Sequence, residues 1–311
     1  MKKMIASGLF GTDVNKLNKP DVPEMGGLAS VLGFVLGISI TIGLLKLLYS
    51  SDFSEVLVAI CVICLASLIG LLDDISVLGR KEKAWFISFS SLPLIISQIG
   101  APSIDLFLFR LDLSSSYLSY IFWLFLVPLG ITGCANAINM LAGYNGLESG
   151  SIAIISFSMM LVSIINSTDE IIIYVFASLF GSSFCLYHYN KFPAKTFVGD
   201  IGTLGFGSTI AAVSIMSNQI IFAIICILPT FFELYATVKY YFKKIERRDF
   251  CMNPVILESG SLSVPKGADD FTLPYFILSK KSMSEKSLVN IILLCYLFCG
   301  LISLFLAALQ I

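Results

Sequence analysis

The chain has 311 residues, 57% of them hydrophobic and only 13% charged, with a mean hydropathy of +0.89. Apolar content at that level is more than a water-soluble surface tolerates and places the chain in a membrane. A net charge of −1 carries no message about nucleic acid or acidic partners. With a single histidine, His188, the spaced pair Cys61 and Cys64 reads as small apolar side chains rather than half of a zinc site.

The opening MKKMIASGLFG carries two lysines, but its apolar stretch is too short for a signal peptide. Runs of roughly spanning length, about 20 residues each, then predict helices at 27–49, 55–72, 84–99, 117–135, 146–166, 170–187, 202–217, 219–242 and 287–310. With the N-terminus on the cytoplasmic side, all but Lys46 and Arg110 of the 20 basic residues fall in cytoplasmic segments or at their edges, as the positive-inside rule requires. The expected fold is therefore all-α: one membrane domain over 1–311, a bundle of about nine transmembrane helices with an extended cytoplasmic loop at 243–286. Within that loop PVILESGSLSVPK (254–266) has two short β-prone runs around Ser-Gly-Ser, the pattern of a small hairpin. The loops on the opposite side (50–54, 100–116, 167–169, 218) are short or plain, so function is expected at the cytoplasmic face of a multi-pass cell-membrane protein.

Three polar clusters interrupt the apolar runs. In GLLDDISVLGRKEK (70–83), Asp73 and Asp74 close a helix at its C-terminal end, where the dipole disfavours each carboxylate by about 0.3 to 1 kcal/mol. Arg80, Lys81, Lys83 or a divalent metal would compensate; two solvated carboxylates beside a basic loop are the plainer reading. In NAINMLAGYNGLESG (136–150), Asn136 and Asn139 share a helix face, and their amides suit metal, phosphate or nucleobase, unless the stretch is only a capped helix end with an Asn-Gly turn. In YNKFPAKTFVGDIGTLGFG (189–207), Asp200 stands at a glycine-rich helix start, either as a cap or as a ligand for a hard cation near backbone N–H groups that attract phosphate. Lys243, Lys244, Arg247 and Arg248 read first as topology determinants and second as an anion site. His188, standing alone, reads as an interfacial side chain.

Carboxylates, amides and lysines gathered on one membrane face, with no Ser-His pair, redox motif or P-loop, suit metal-assisted chemistry of phosphates, which needs positioning and charge neutralisation above all. The motifs resemble those of the polyprenyl-phosphate N-acetylhexosamine-1-phosphate transferases, nearest the dolichyl-phosphate N-acetylglucosamine phosphotransferases. The matching blocks are GTDVNKLNKPDVPEMGGL (11–28), 70–83, 136–150, NKFPAKTFVGDIGTLGFG (190–207) and, more weakly, SEKSLVNIILL (284–294). The resemblance implies transfer of N-acetylglucosamine 1-phosphate from UDP-N-acetylglucosamine to dolichyl or another polyprenyl phosphate, with release of UMP, at the start of glycan assembly of the N-glycosylation type. It implies Mg²⁺, with Mn²⁺ as a substitute, held by Asn139 and Asp200; Asp73 and Asp74 as the catalytic pair acting on the lipid phosphate; and Lys83 on phosphate. Asn145 and Phe197 match uracil contacts, Glu24 and the backbone around Val14 match the nucleoside loop, and Asn136 belongs to the same substrate-binding block. Partners are thus the nucleotide sugar, the lipid phosphate and the membrane, with a homodimer left open.

Two departures qualify the likeness. Family members carry a further span ahead of the GTD-type loop, ten in all, so the chain is expected to show nine. The last cytoplasmic loop reads ERRDFCMNPVI, with Arg247 and Arg248 where many relatives place His and Arg on the sugar phosphate, which leaves the sugar less defined than the reaction. The rival readings are another UDP-N-acetylhexosamine or the muramoyl-pentapeptide precursor as donor, and, from a different class, a transporter, whose polar groups would sit near the bilayer midplane.

Overall fold

The structure, a computed structural model, describes residues 8–48, 53–76, 78–106, 109–242, 253–268 and 272–310. All nine apolar segments are helical. Seven are continuous and long and apolar enough to cross a bilayer: α1 (Gly26–Leu48), α2 (Ser54–Ser76), α5 (Ser116–Asn139), α6 (Leu147–Ile165), α7 (Glu170–Asn190), α8 (Gly199–Met216) and α12 (Glu285–Leu309). The other two are interrupted, and proline is the reason, because it lacks a backbone donor and its ring collides with the preceding turn. The segment predicted at 84–99 is α3 (Arg80–Ser88), a 3-10 turn at Phe89–Ser91 and α4 (Leu92–Ser97), with Pro93 at the restart. The segment predicted at 219–242 is α9 (Ile220–Cys226), a 3-10 turn holding Pro229, and α10 (Phe231–Phe242). Inside α5, Pro128 follows a π turn at Phe122–Leu126, the local widening by which a helix absorbs such a residue.

Helix α8 is the centre of the bundle. Of its apolar window, 89% is buried, against 22% for α1, whose Leu32, Leu36, Ile40, Leu44 and Leu47 lie exposed along one side, an apolar surface suited to lipid. Lipid tails are as apolar as leucine, so helices in a membrane associate through close backbone packing more than through hydrophobic burial. Small residues provide it. A Cβ on Gly70 of α2 would strike the backbone of Asp200 and Ile201, and one on Gly27 of α1 would come within 2.5 Å of the Cα of Gly202. These two contacts bring the ends of α1 and α2 against the first turn of α8.

Among the described residues, three antiparallel hairpins decorate the bundle. Strands β1 (Phe10–Thr12) and β2 (Asp21–Pro23) pair Phe10 with Pro23; β3 (Ser103–Leu106) and β4 (Phe109–Asp112) pair in the loop before α5; and β5 (Val255–Ile256) with β6 (Leu262–Ser263) forms the hairpin expected at 254–266. Leu262 also bridges to Met283, just before α12, and α11 (Leu273–Lys280) lies between them. The first two hairpins were not expected from the sequence. The N-terminal one matters for function: Phe197 N–H donates to the Pro23 carbonyl, while Gly26 and Gly27 N–H donate to the carbonyls of Phe197 and Val198, each at 2.8 Å. The strand end thus runs beside the loop that enters α8.

Candidate active site

The last turn of α2 meets the first turn of α8, and this settles how Asp73 and Asp74 are tolerated. A helix start has four backbone N–H groups without intrahelical partners and a partial positive charge. Asp74 uses both: its Oδ1 accepts from Asp200 N–H at 2.9 Å and its Oδ2 from Ile201 N–H at 3.1 Å. The C-terminal carboxylate of one helix therefore caps the N-terminus of another. Gly199, just ahead, adopts φ +72°, and a Cβ there would lie 2.9 Å from Asp74 Oδ2, so glycine serves both the backbone and the approach.

Asp73 points elsewhere. Its Oδ1 accepts from Leu78 N–H at 2.6 Å and its Oδ2 pairs with Lys83 Nζ at 2.7 Å. Lys83, on the first turn of α3, also pairs with Asp200 Oδ2. Burial pulls its ammonium pKa down, but the charge and hydrogen bond of Asp200, with those of Asp73, outweigh this and raise it above the ordinary lysine value, so Lys83 stays charged through neutral pH. Lys81 is exposed; the side chain of Arg80 lies outside the described residues, as do Arg247 and Arg248.

Asn139, at the end of α5, reaches the same point. Its Nδ2 donates to Asp200 Oδ1 at 2.5 Å and to Thr203 Oγ1 at 2.9 Å. Four helices, α2, α3, α5 and α8, thus deliver Asp73, Lys83, Asn139 and Asp200 to one spot. Asp74 is the coupling between two of them, and Glu148, buried in the first turn of α6, adds a carboxylate nearby. Glu24, after β2, is pushed above the usual carboxyl pKa by burial and then by the charge of Asp74, so the N-terminal hairpin borders the cluster. Asn136 does not join it: its amide donates to the Thr132 carbonyl one turn back at 2.8 Å.

A second polar knot lies where the N-terminal hairpin, the 140–146 connection and α12 meet. Asn145 Nδ2 donates to Asp13 Oδ2 at 2.9 Å, and Asn145 N–H donates to Glu285 Oε1 at 2.8 Å. Lys16 pairs with Asp13 Oδ2 at 3.0 Å and with Glu285 Oε2, and its ammonium stands 4.5 Å from the centre of the Phe192 ring. Asn15 Nδ2 donates to the Gly143 carbonyl at 2.5 Å. Asn190 fastens the 191–198 loop to α6, accepting from Gly146 N–H and Ser149 Oγ and donating to the Thr196 carbonyl. On one side of this knot Val14 and Gly143 border a cavity of about 150 Å³ that also touches Asn253 and Tyr275; on the other, Asn145 borders one of about 240 Å³.

The sequence reading assembled Asp73, Asp74, Lys83, Asn139 and Asp200, and these do converge; Asn145, Val14, Glu24 and Phe197 sit on the adjoining hairpin and loops. It missed Thr203, Asn190, Asp13, Lys16 and Glu285. All but Thr203 carried a signal, because each lies in or beside a quoted block with a charge or amide at a span end.

Residues 56–218 match the Glycosyl transferase family 4 profile. A provisionally named glycosyltransferase of Methanocaldococcus jannaschii is 32% identical over 98% of the chain and 89% of its own length. A provisionally named UDP-N-acetylglucosamine–dolichyl-phosphate N-acetylglucosaminephosphotransferase of Sulfolobus acidocaldarius is 32% identical over 76% of the chain and 72% of its own length. A phospho-N-acetylmuramoyl-pentapeptide-transferase of Streptococcus pyogenes is 28% identical over 84% and 82% respectively.

Proposed function

The chain belongs to glycosyl transferase family 4, and on that premise we propose that it transfers N-acetylglucosamine 1-phosphate from UDP-N-acetylglucosamine to a polyprenyl phosphate of dolichol type, releasing UMP. The observation that carries this reading is the meeting of Asp73, Lys83, Asn139 and Asp200 at one end of the bundle. A lipid phosphate oxygen attacks the phosphorus that bears the sugar; the new bond is the lipid diphosphate, the anhydride bond breaks, and UMP leaves with the electron pair. Both reactants are anions, so the site must offset their repulsion.

The donors present fit a hard cation. Asp200 and Asn139 offer carboxylate and amide oxygens side by side, once the Asn139 amide turns its oxygen inward. Among the described residues no cage of three or more acidic, His or Cys side chains closes around an ion. Mg²⁺ suits such an open site, since it takes one or two protein ligands and completes its shell with water and phosphate oxygens. Bound by Asp200 and Asn139, with Mn²⁺ as a substitute, it would supply neutralisation of the diphosphate charge.

The remaining roles combine the contacts of Lys83, Asp73 and Asp74 with the motif resemblance for the other residues. Lys83, charged and shared between two carboxylates, is a cation that can turn to a phosphate when Asp200 is otherwise engaged. Asp73, which shares a side-chain hydrogen bond with Asp200 and pairs with Lys83 and Leu78 N–H, is the carboxylate offered to the attacking lipid phosphate. Asp74, held by two backbone donors, keeps Asp200 in place. Phe197 and Asn145 receive the uracil, Glu24 and the Val14 backbone border the nucleoside, and Arg247 and Arg248 are offered to the sugar phosphate. The basic-residue asymmetry supports a cytoplasmic position for this end of the bundle.

The Streptococcus relatives favour a second donor, the muramoyl-pentapeptide nucleotide; the lack of any histidine in the last cytoplasmic loop weighs against it. Reconstituting the protein with a polyprenyl phosphate, Mg²⁺ and a panel of UDP-sugars decides. UMP and a lipid diphosphate N-acetylglucosamine are expected. Release of UDP, or turnover without lipid, would refute the reaction; turnover only with the muramoyl-pentapeptide donor would replace the substrate.

A further inference from the structure

The weakest of the sequence blocks, SEKSLVNIILL at the start of α12, has no part in the chemistry above, yet its Glu285 is among the most buried charges in the chain at 3% exposure. The groups around it form a chain of enforced orientations. Glu285 accepts from Asn145 N–H and pairs with Lys16; Lys16 pairs with Asp13; Asp13 accepts the Asn145 amide. Asp13 and Asn145 are 5% and 4% exposed, so water does not compete for these bonds.

A carboxylate accepts hydrogen bonds and donates none, so Asp13 admits only one orientation of Asn145: the NH₂ group must face it, since the flipped amide would set oxygen against oxygen. The amide oxygen is then the group left to meet a ligand, and no hydrogen bond reaches it among the described residues. An asparagine left free would serve donors and acceptors alike. Held in this way it offers an acceptor.

We propose that Asp13, anchored by Lys16 and Glu285, is a positioning residue that fixes the Asn145 amide with its oxygen toward the ligand, so that the site selects a pyrimidine carrying a ring N–H, uracil, over cytosine, whose ring nitrogen at that position is itself an acceptor. The inference rests on the reading of Asn145 as a nucleobase contact and adds what sets its polarity. The knot joins residues 13–16, 145 and 285, so the N-terminal hairpin and α12 act on the base through one amide.

The test measures binding of UMP and CMP to the purified full chain, and transfer from UDP- and CDP-N-acetylglucosamine, for wild type, D13A, K16M and the exchanged pair D13N with N145D. D13A is expected to lose about tenfold in uridine over cytidine discrimination, the scale of one mismatched buried hydrogen bond, through KM with kcat at saturation little changed. K16M, which leaves Asp13 in place but unanchored, is expected to lose less, and it carries the test if D13A does not fold. The exchanged pair turns an amide donor from residue 13 to a carboxylate at 145, restores an outward acceptor, and should regain discrimination. A wild-type ratio in folded D13A or K16M, or no recovery in the exchanged pair, overturns the proposal while leaving the reaction intact. Wild-type protein that binds neither nucleotide overturns the reaction and the proposal together.

Discussion

Two clusters of carboxylates share one end of the molecule, each built around a single lysine, and they differ in what they leave unfinished. At the first, the side chains of Lys83, Asp73 and Asp200 retain 15%, 11% and 23% exposure, and the lysine is shared between the two carboxylates. At the second, the side chains of Lys16, Asp13 and Glu285 retain 17%, 5% and 2%, so the lysine is as open as Lys83 while the carboxylates are closed, and amide and backbone donors complete what Lys16 does not. A buried charge is tolerated when its hydrogen bonds are filled, so the second cluster is a fixed joint between segments. The first keeps its carboxylates more exposed than the second. On the proposed reading, similar residues serve chemistry in one place and architecture in the other.

Substitutions in the two clusters should separate by what they damage. The largest loss is expected for D200A: a fall of about a thousandfold or more in UMP release, with the thermal unfolding of the detergent-solubilised protein nearly unchanged. K83M follows at about a hundredfold, expressed in kcat, and near-normal turnover would remove Lys83 from the phosphates. The aspartate pair gives a sharper division. D73N should lower turnover and spare stability. D74N should lower both, because two backbone N–H groups lose a charged acceptor, each such bond being worth about 1.5 to 3 kcal/mol; equal unfolding temperatures for the two variants would contradict the capping role. Smallest in turnover is E285Q, which keeps an acceptor for Asn145 N–H while removing the charge opposite Lys16. It should raise the KM for the nucleotide sugar a few-fold and lower the unfolding temperature, with kcat preserved.

The members of the first cluster were visible in the sequence because each lies near the end of an apolar span, while their joint role came from the motif blocks that resemble a known family. Asp73 and Asp74 at a helix C-terminus demanded a counter-charge, and Lys83 was in view. The other half of the answer, the N-terminus of α8, was not, since no local pattern says which helix end docks on which; that is decided by close approaches such as Gly70 on Asp200. The second cluster was hidden for the same reason on a larger scale, with Lys16 and Glu285 separated by 269 residues. The nine helical segments followed from hydropathy, while the interruptions at Pro93 and Pro229 carried a visible signal in the prolines themselves. The hairpin at 10–23 was missed because strands of three residues are too short to show alternation.

The proposed reaction requires residues from separate helices to form one cation site together with substrate phosphate. Electron paramagnetic resonance of Mn²⁺ titrated into the protein, with and without UDP-N-acetylglucosamine, reads that directly and apart from turnover. Wild type should bind the ion more tightly when the nucleotide sugar is present, and D200A and N139A should each lose that binding; wild-type affinity in both variants would contradict the site.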